Sequence, residues 1–218
     1  MAKQFDLIVW DWDGTLADST GMITIALLKA AEEVGLPALS RKEASSIIGL
    51  GLKESIEALY GEIPKEQAQA LAAKYTANYY AGESEIPLFD GAAETIKTLS
   101  MRGYKLAVAT GKGRRGLNLA LEHCGLGAYF HATRTVDECF SKPHPQMLDE
   151  LMDDLVVMPE RTLMIGDTSY DLQMAQNAGV SSLGVTFGAQ IAEQWLHLNP
   201  IAQFDHFSQL SDWLLNHA

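Results

Sequence analysis

The stretch Phe5-Asp-Leu-Ile-Val-Trp-Asp-Trp-Asp-Gly-Thr-Leu16 joins a short strand-like run to a pair of carboxylates. Its first six residues are mostly apolar and β-rich, a pattern typical of a strand buried inside a sheet. Asp11 and Asp13 follow directly, one residue apart and ahead of Gly14. Two carboxylates at a strand end cannot both be buried without a cation, and Mg²⁺ prefers oxygen ligands. Asp and Gly also favour turns, so a simple turn is the alternative interpretation.

The two carboxylates suit different chemical tasks. Asp11 can serve as a nucleophile on phosphorus while a metal ion neutralises the phosphate charge. Asp13 is placed to donate a proton to the leaving oxygen and later to withdraw one from water. The pair therefore predicts phosphoryl-transfer chemistry at the end of the first strand.

Strands and helices alternate through most of the chain. Further strands are predicted at Lys105–Ala109, Phe130–Thr135, Thr162–Ile165 and Ser182–Val185. Helices are predicted between them at Ala92–Met101, Gly116–Cys124, Pro145–Met152 and Ser169–Ala178. This alternation indicates βαβ units, hence an α/β fold with a Rossmann-like parallel sheet and helices on both faces.

One interval contains helical patterns only. They lie at Ser19–Glu33, Arg41–Ile48, Lys53–Tyr60 and Pro64–Tyr80, separated by Gly and Pro residues. We therefore expect a small α-helical cap domain at residues 17–87, inserted into a catalytic core of residues 1–16 and 88–218. Its hinges would be Leu16–Ser19 and Gly82–Pro87. Because ligands bind at the carboxyl ends of strands in parallel sheets, the insertion would cover the active site as a lid.

Polar residues mark the ends of two more predicted strands. Thr110 precedes Gly111, so its hydroxyl and nearby backbone N–H groups can bind a phosphate oxygen, although a Thr-Gly pair can equally cap a helix. Asp167 follows the fourth strand, where it can complete a Mg²⁺ shell. Asp171 can accept hydrogen bonds from metal-bound water or from a lysine, or it can simply be an acidic residue in the first turn of a helix.

Basic residues are the remaining candidates. Lys142 lies between Ser141 and two prolines, which are expected to hold an extended backbone and start the next helix. Held there, Lys142 can act as a point charge on both phosphate and Asp11; the alternative is an exposed lysine. Lys53 in the expected cap either contacts the leaving group or is solvated. Three basic residues remain: Lys112, Arg114 and Arg115. They either attract an anionic leaving group or begin a solvated helix, and the pattern slightly favours the solvated helix.

Composition limits the other possibilities. The chain has 218 residues, of which 47% are hydrophobic and 20% charged, as in ordinary globular proteins. No apolar run approaches a membrane span, and the first ten residues do not resemble a signal peptide. The net charge of −12 disfavours nucleic acid and anionic lipid as partners. Two isolated cysteines favour reduced thiols, so we expect a cytoplasmic enzyme acting on a small molecule.

In chain order, Asp11-Trp-Asp-Gly-Thr15, Thr110, Lys142 and Gly166-Asp-Thr-Ser-Tyr-Asp171 resemble the four motifs of the haloacid dehalogenase superfamily. The helical insertion is similar to the cap of its phosphoglycolate phosphatase-like branch, and the resemblance covers nearly the whole chain. It implies that Asp11 is the nucleophile and Asp13 the general acid and base. It also implies that Mg²⁺ is held by the side chains of Asp11 and Asp167 with the backbone carbonyl of Asp13, and that Thr110 and Lys142 bind phosphate. Trp12 departs from the usual Met or Leu but is expected to face away from the chemistry.

The resemblance admits several reactions. Dehalogenases need neither magnesium nor the second carboxylate, so Asp13 and Asp167 argue against that chemistry. Phosphomutases share the four motifs and remain the alternative. A receiver domain carries its phosphoacceptor after the third strand, and a P-loop hydrolase needs a GxxxxGK[ST] motif that this chain lacks. We expect a Mg²⁺-dependent phosphatase for small phosphate monoesters, with phosphoglycolate suggested by the resemblance.

Overall fold

A parallel sheet forms the centre of the computed structural model, which describes residues 3–82 and 86–218. Its strands are β1 (Leu7–Trp10), β2 (Lys105–Thr110), β3 (Ala132–Thr135), β4 (Thr162–Gly166), β5 (Ser181–Val185) and β6 (Ala202–Phe204). They lie in the order β3-β2-β1-β4-β5-β6, and each neighbouring pair is parallel. β1 is therefore central, between β2 and β4. The predicted Rossmann-like α/β fold is confirmed.

The helices follow the predicted order closely. They are α1 (Thr20–Val34), α2 (Arg41–Ser46), α3 (Leu52–Tyr60), α4 (Lys65–Tyr80), α5 (Ala92–Met101), α6 (Arg114–Cys124), α7 (Gln146–Leu155), α8 (Ser169–Asn177) and α9 (Phe207–His217). Within the described ranges, none of these helices is long and apolar enough to cross a membrane. Cys124 and Cys139 are free cysteines.

Apolar side chains cover both faces of β1. Ile8 and Trp10 point into one buried cluster, which α5 and α9 help to form. Leu7 and Val9 point to the opposite face, into a cluster shared with α7 and α8. A strand buried on both sides has a continuous apolar sequence, which is why β1 could be recognised from its residues alone.

Two elements of the core escaped the sequence prediction: β6 and α9. β6 has three residues and lies at the edge of the sheet beside β5, too short to produce a recognisable apolar run. α9 buries Phe207, Leu210 and Leu214 against the sheet face that contains Trp10, and the Trp10 and Phe207 rings stack with their centroids 6.2 Å apart. The last part of the chain is therefore an integral part of the core.

Helices α1–α4 bury an apolar cluster of their own, in which Leu27 of α1 and Leu71 of α4 are fully enclosed. Two connections join these helices to the sheet, and they run side by side. The backbone N–H of Asp18 donates to the carbonyl of Pro87, and that of Phe89 to Leu16, both at 2.9 Å. The second expected hinge, Gly82–Pro87, lies partly outside the described residues. We propose that residues 17–87 form the cap domain and that the rest of the chain forms the core.

Removing buried volume from α9 should destabilise the whole core. Leu210→Ala is expected to lower the free energy of unfolding by about 2–5 kcal/mol, because the residue is fully buried and its loss leaves a cavity. Ser208→Ala on the exposed side of the same helix should change it by no more than about 0.5 kcal/mol. Urea denaturation of both variants measures the difference. Equal unfolding midpoints would show that α9 is not integrated into the core.

Candidate active site

The predicted functional residues meet at one edge of the sheet. Asp11 follows β1, Thr110 ends β2 and Asp167 follows β4, so three neighbouring strands bring these side chains together. All three side chains are buried. The carboxyl ends of parallel strands lie at the same edge of the sheet. Residues that are far apart in the chain therefore come together there.

Lys142 connects two of the carboxylates. Its Nζ lies 2.6 Å from Asp11 Oδ1 and 2.6 Å from Asp171 Oδ1, and its side chain is fully buried. An exposed surface lysine is therefore excluded. The expected extended backbone is wrong, because Ser141–His144 forms a turn in which the His144 N–H donates to the Ser141 carbonyl at 3.1 Å. Proline restricts φ to a value that turns and extended chains share, so the sequence alone could not separate the two.

Asp167 is held by groups from two other segments. Thr15 Oγ1 donates to its Oδ1 at 3.0 Å, and the backbone N–H of Ala189 donates to its Oδ2 at 2.6 Å. A Cβ on Gly14 or Gly188 would overlap this carboxylate, so both glycines permit the close approach of the backbone. The contribution of Ala189 was missed, because a backbone donor has no side-chain signature in the sequence.

Asp171 combines both of the functions considered for it. Its Oδ1 accepts from Lys142, while its Oδ2 accepts from the Thr168 N–H at 3.1 Å and the Thr168 hydroxyl at 2.7 Å. The second set of bonds closes the capping box at the start of α8. The helix cap therefore fixes the carboxylate that in turn orients Lys142.

Negative charge exceeds positive charge in this buried group. Asp11, Asp167 and Asp171 each offer an oxygen within 4.8 Å of the others, and Asp11 Oδ2 has no hydrogen-bond partner among the described residues. Burial raises the pKa of Asp11 to about 7, despite the nearby Lys142 charge. Burial, together with the Asp11 and Asp171 charges, raises the pKa of Asp167 well above its ordinary value.

The pKa of Lys142 is shifted in the direction that keeps its ammonium charged. Burial alone would lower the pKa of its ammonium, but the charges of Asp11 and Asp171 raise it above the usual range. One ammonium therefore stays charged beside three carboxylates, two of which resist ionisation. A hard divalent cation would relieve this excess, and the oxygen-only donor set suits Mg²⁺.

The Asp13 side chain is outside this acidic group and faces a different set of partners. Its Oδ1 accepts from the Ser19 hydroxyl at 2.8 Å and lies 3.2 Å from Lys112 Nζ. The sequence prediction assigned a metal contact to the backbone carbonyl of Asp13, which the direction of this side chain does not test. Trp12 turns away from the site and packs edge-on against Phe130, as predicted.

A cavity of about 320 Å³ separates the strand ends from the helices α1, α3 and α4. Asp11, Asp13, Thr110 and Gly111 line the side formed by the core. The Thr110 hydroxyl accepts the backbone N–H of Lys112 at 3.1 Å, which fixes its position. The volume is at the lower end of the range for small-molecule sites.

The structure separates the basic residues that the sequence left undecided. Lys53 is solvated, with 80% of its side chain exposed, and lies 3.9 Å from Glu57. Arg114 bonds Thr133 and Glu138 away from the cavity. Lys112 lines the cavity with 8% of its side chain exposed, so the favoured interpretation as a solvated helix start is wrong for this residue. Arg115 also lines the cavity, with its guanidinium 5.1 Å from the Tyr80 ring centroid.

Comparison with known proteins identifies the family and the fold of this chain. A family model described as "Haloacid dehalogenase-like hydrolase" matches residues 8–185. A Dickeya dadantii protein named "Probable phosphatase IndB" is 32% identical, with 94% of this chain and 91% of that protein covered. A Vibrio vulnificus phosphoglycolate phosphatase is 30% identical, with 98% and 97% covered. The crystal structure of a Pseudomonas syringae hydrolase has the same fold, with a TM-score of 0.89, 21% identity and coverage of 98% and 100%.

Mg²⁺ should stabilise the protein more at neutral pH than in acid. Because the pKa of Asp11 is raised from 3.8 to about 7, the metal-free native state binds more protons than the unfolded chain within that interval. Its stability therefore falls as the pH rises through the interval. Protons and the cation compete for the same carboxylates, so the gain from Mg²⁺ should be larger at about pH 7.5 than at about pH 5.

Thermal unfolding in Mg²⁺ and in chelator measures this gain, which is about 2.7 kcal/mol when the metal is at about 100 times its Kd. Asp167→Asn should reduce it, because the variant removes one carboxylate from the acidic group. A wild-type Tm that is the same in Mg²⁺ and in chelator at both pH values would contradict a metal site here.

Proposed function

The chain belongs to the haloacid dehalogenase-like hydrolase family as a phosphoric monoester hydrolase, and we propose that it uses Mg²⁺ and an aspartyl-phosphate on Asp11 to hydrolyse small phosphate monoesters. The observation that carries the proposal is the state of the Asp11 carboxylate. It lines the cavity, one oxygen is paired with Lys142, and the other is buried without a hydrogen-bond partner among the described residues. A carboxylate oriented in this way is available to attack.

The phosphoryl group would be bound by residues of the core. The Thr110 hydroxyl, the backbone N–H of Gly111 and the Lys142 ammonium supply donors and positive charge. A bound Mg²⁺ would neutralise phosphate charge; the side chains of Asp11 and Asp167 and the backbone carbonyl of Asp13 would hold it. Asp171 also pairs with the Lys142 ammonium and helps to hold it beside Asp11.

Two displacements complete the reaction. In the first, an Asp11 oxygen forms a bond to phosphorus, the ester bond breaks, and Asp13 gives its proton to the leaving oxygen. In the second, Asp13 takes a proton from water, the water oxygen bonds to phosphorus, and the bond between phosphorus and Asp11 breaks to release phosphate. Asp13 suits both steps because it lines the cavity while its own carboxylate is held by Ser19.

The cap limits the substrate by size. Helices α1, α3 and α4 close the cavity from above, so a small soluble ester fits better than a phosphoprotein or a nucleic acid. A closed cap would exclude water from the first displacement and admit it for the second. Phosphoglycolate is the candidate suggested by the named relative. Assays with phosphoglycolate, sugar phosphates and nucleotides in Mg²⁺ test the proposal, and a need for a bisphosphorylated sugar activator would identify a phosphomutase instead.

Asp11→Asn should abolish turnover without abolishing phosphate binding. The amide retains the shape of the side chain but is a poor nucleophile, and kcat should fall by about 10⁴-fold or more. Steady-state assays with an aryl phosphate, together with acid trapping of phosphoenzyme, measure the loss. Asp212→Asn on the exposed surface of α9 is the matched control and should behave as wild type. Turnover at the wild-type rate by Asp11→Asn would refute covalent catalysis through this residue.

Asp13→Asn should discriminate between leaving groups. General acid–base assistance contributes about 10²–10⁴-fold, so alkyl phosphates should lose that much in kcat/KM. An aryl phosphate needs less protonation of its leaving oxygen, and its first step should lose less. Phosphoenzyme should then accumulate, because water activation is also impaired. Equal losses for alkyl and aryl esters would argue against Asp13 as the acid.

A further inference from the structure

Three charged residues that line the cavity have no part in the proposed mechanism: Lys112, Arg115 and Asp137. Of these, Lys112 is the one paired with a proposed catalytic group, among the residues that the structure describes. Its side chain is almost fully shielded from solvent, with 8% exposed. Its Nζ lies 3.2 Å from Asp13 Oδ1 and donates to Tyr79 Oη at 2.7 Å. Shielding an ammonium from water is costly unless acceptors and an opposite charge compensate for it. The position of this ammonium beside the proposed proton donor therefore suggests a function.

The hydrogen bonds of Lys112 leave one donor for a ligand. An ammonium has three N–H donors. Lys112 donates one of them to Tyr79 Oη, and its nitrogen forms an ion pair with Asp13 Oδ1 at 3.2 Å. In the part of the chain that the structure describes, no further residue pairs with this ammonium, so at least one N–H donor remains. Because Lys112 lines the cavity, that donor is available to a molecule bound there.

The position of Lys112 determines which part of a substrate it meets. Lys142 and Thr110 surround the site of the transferred phosphoryl group, whereas Lys112 lies against Asp13, the proposed proton donor to the leaving oxygen. The first atoms of the leaving group beyond the ester oxygen would therefore be next to the Lys112 ammonium.

Among the described residues, the cap side of the cavity presents no charged side chain. Its lining in the described residues is apolar or hydroxyl-bearing, with Ile23, Leu27, Ile48, Leu52, Ser55 and Tyr75 as representative members. A leaving group with many hydroxyls would lose water there without gaining enough partners, which is unfavourable. A leaving group with a single anionic group pointing to the core side would not suffer this loss.

We propose that Lys112 is a specificity-determining residue that selects phosphate esters whose leaving group carries a negative charge next to the ester oxygen. The chemical class is that of esters with a carboxylate one carbon away from the ester oxygen, as in phosphoglycolate. This inference rests on the proposed phosphatase function and adds the charge of the leaving group as its selection criterion. Tyr79 acts as a positioning residue, because its hydroxyl brings the cap into contact with the ammonium.

Matched esters test the proposal. Phosphoglycolate and 2-hydroxyethyl phosphate differ chiefly in the charge of the leaving group, and 4-nitrophenyl phosphate reports general activity. A charged hydrogen bond corresponds to about 10–100-fold in kcat/KM, which is the preference we expect the wild type to show for phosphoglycolate. Lys112→Met should remove most of this preference, and Lys112→Arg should retain part of it.

Two controls separate a local contact from other effects. Arg115→Met removes a charge from the same cavity, at a side chain that lies against the Tyr80 ring, and should change the preference by less than Lys112→Met. Lys53→Met removes an exposed cap charge and should leave all three rates unchanged. If Lys112 served only to position Asp13, Lys112→Met would slow the two alkyl esters equally and leave their ratio intact, which would overturn the proposal.

Assays of the wild-type enzyme alone also test the proposal, even if Lys112→Met does not fold. Equal kcat/KM for phosphoglycolate and 2-hydroxyethyl phosphate would overturn the assignment to Lys112 while leaving the phosphatase function in place. No hydrolysis of any ester, including 4-nitrophenyl phosphate with Mg²⁺, would overturn the phosphatase function itself.

Discussion

Three carboxylates and one ammonium meet without solvent at the carboxyl edge of the sheet, and the surrounding structure serves to hold them there. Lys142 lies 2.6 Å from both Asp11 and Asp171, yet Asp167 adds a further carboxylate within the same group. Bringing like charges together out of water is costly, so the fold must hold each of them rigidly. The Asp167 carboxylate accordingly accepts from Thr15 and Ala189, and Asp171 accepts twice from Thr168. Burial of unbalanced charge is thus the constraint that would favour a cation at this site.

The sheet explains how so few residues create this site. β1 is central and fully buried, and its neighbours β2 and β4 end at the same edge. Each of these strands therefore places one polar residue at the site, and no long loop has to be ordered to position it. Apolar packing on both faces of β1 keeps its end in place, because Ile8 and Trp10 are fixed on one side and Leu7 and Val9 on the other. Rigid elements of this kind position catalytic groups more closely than mobile loops do.

The sequence revealed the central strands and the side chains that follow them, because a buried parallel strand has a continuous apolar pattern and its polar end interrupts it abruptly. It did not reveal β6, whose three residues at the sheet edge carry no such pattern. It also misjudged Lys112, since the start of α6 could have presented any of three basic residues to the cavity. The choice depends on Tyr79, far away in the chain, and on the partners that turn Arg114 towards Thr133 and Glu138. Backbone donors such as Ala189 have no sequence signal at all. The chemistry of each residue could be predicted from the sequence, but the contacts between residues distant in the chain could not.

In the proposed mechanism, the two lysines place positive charge beside the two halves of a substrate, Lys142 beside the phosphoryl group and Lys112 beside the leaving group. Lys142 is paired with two carboxylates of the core, Asp11 and Asp171, and in the proposed mechanism its charge acts on the phosphoryl group and on Asp11. Lys112 shares its charge with Asp13 and contacts a cap residue, so it acts where the leaving group begins. The chain as a whole carries a charge of −12, which repels an approaching anion, but salt screens exposed charges beyond about 8–10 Å. Charges inside the cavity are screened much less. Attraction of an anionic ester therefore depends on these buried contacts and not on the surface, and it becomes effective only when the ester lies between the strand ends and the cap.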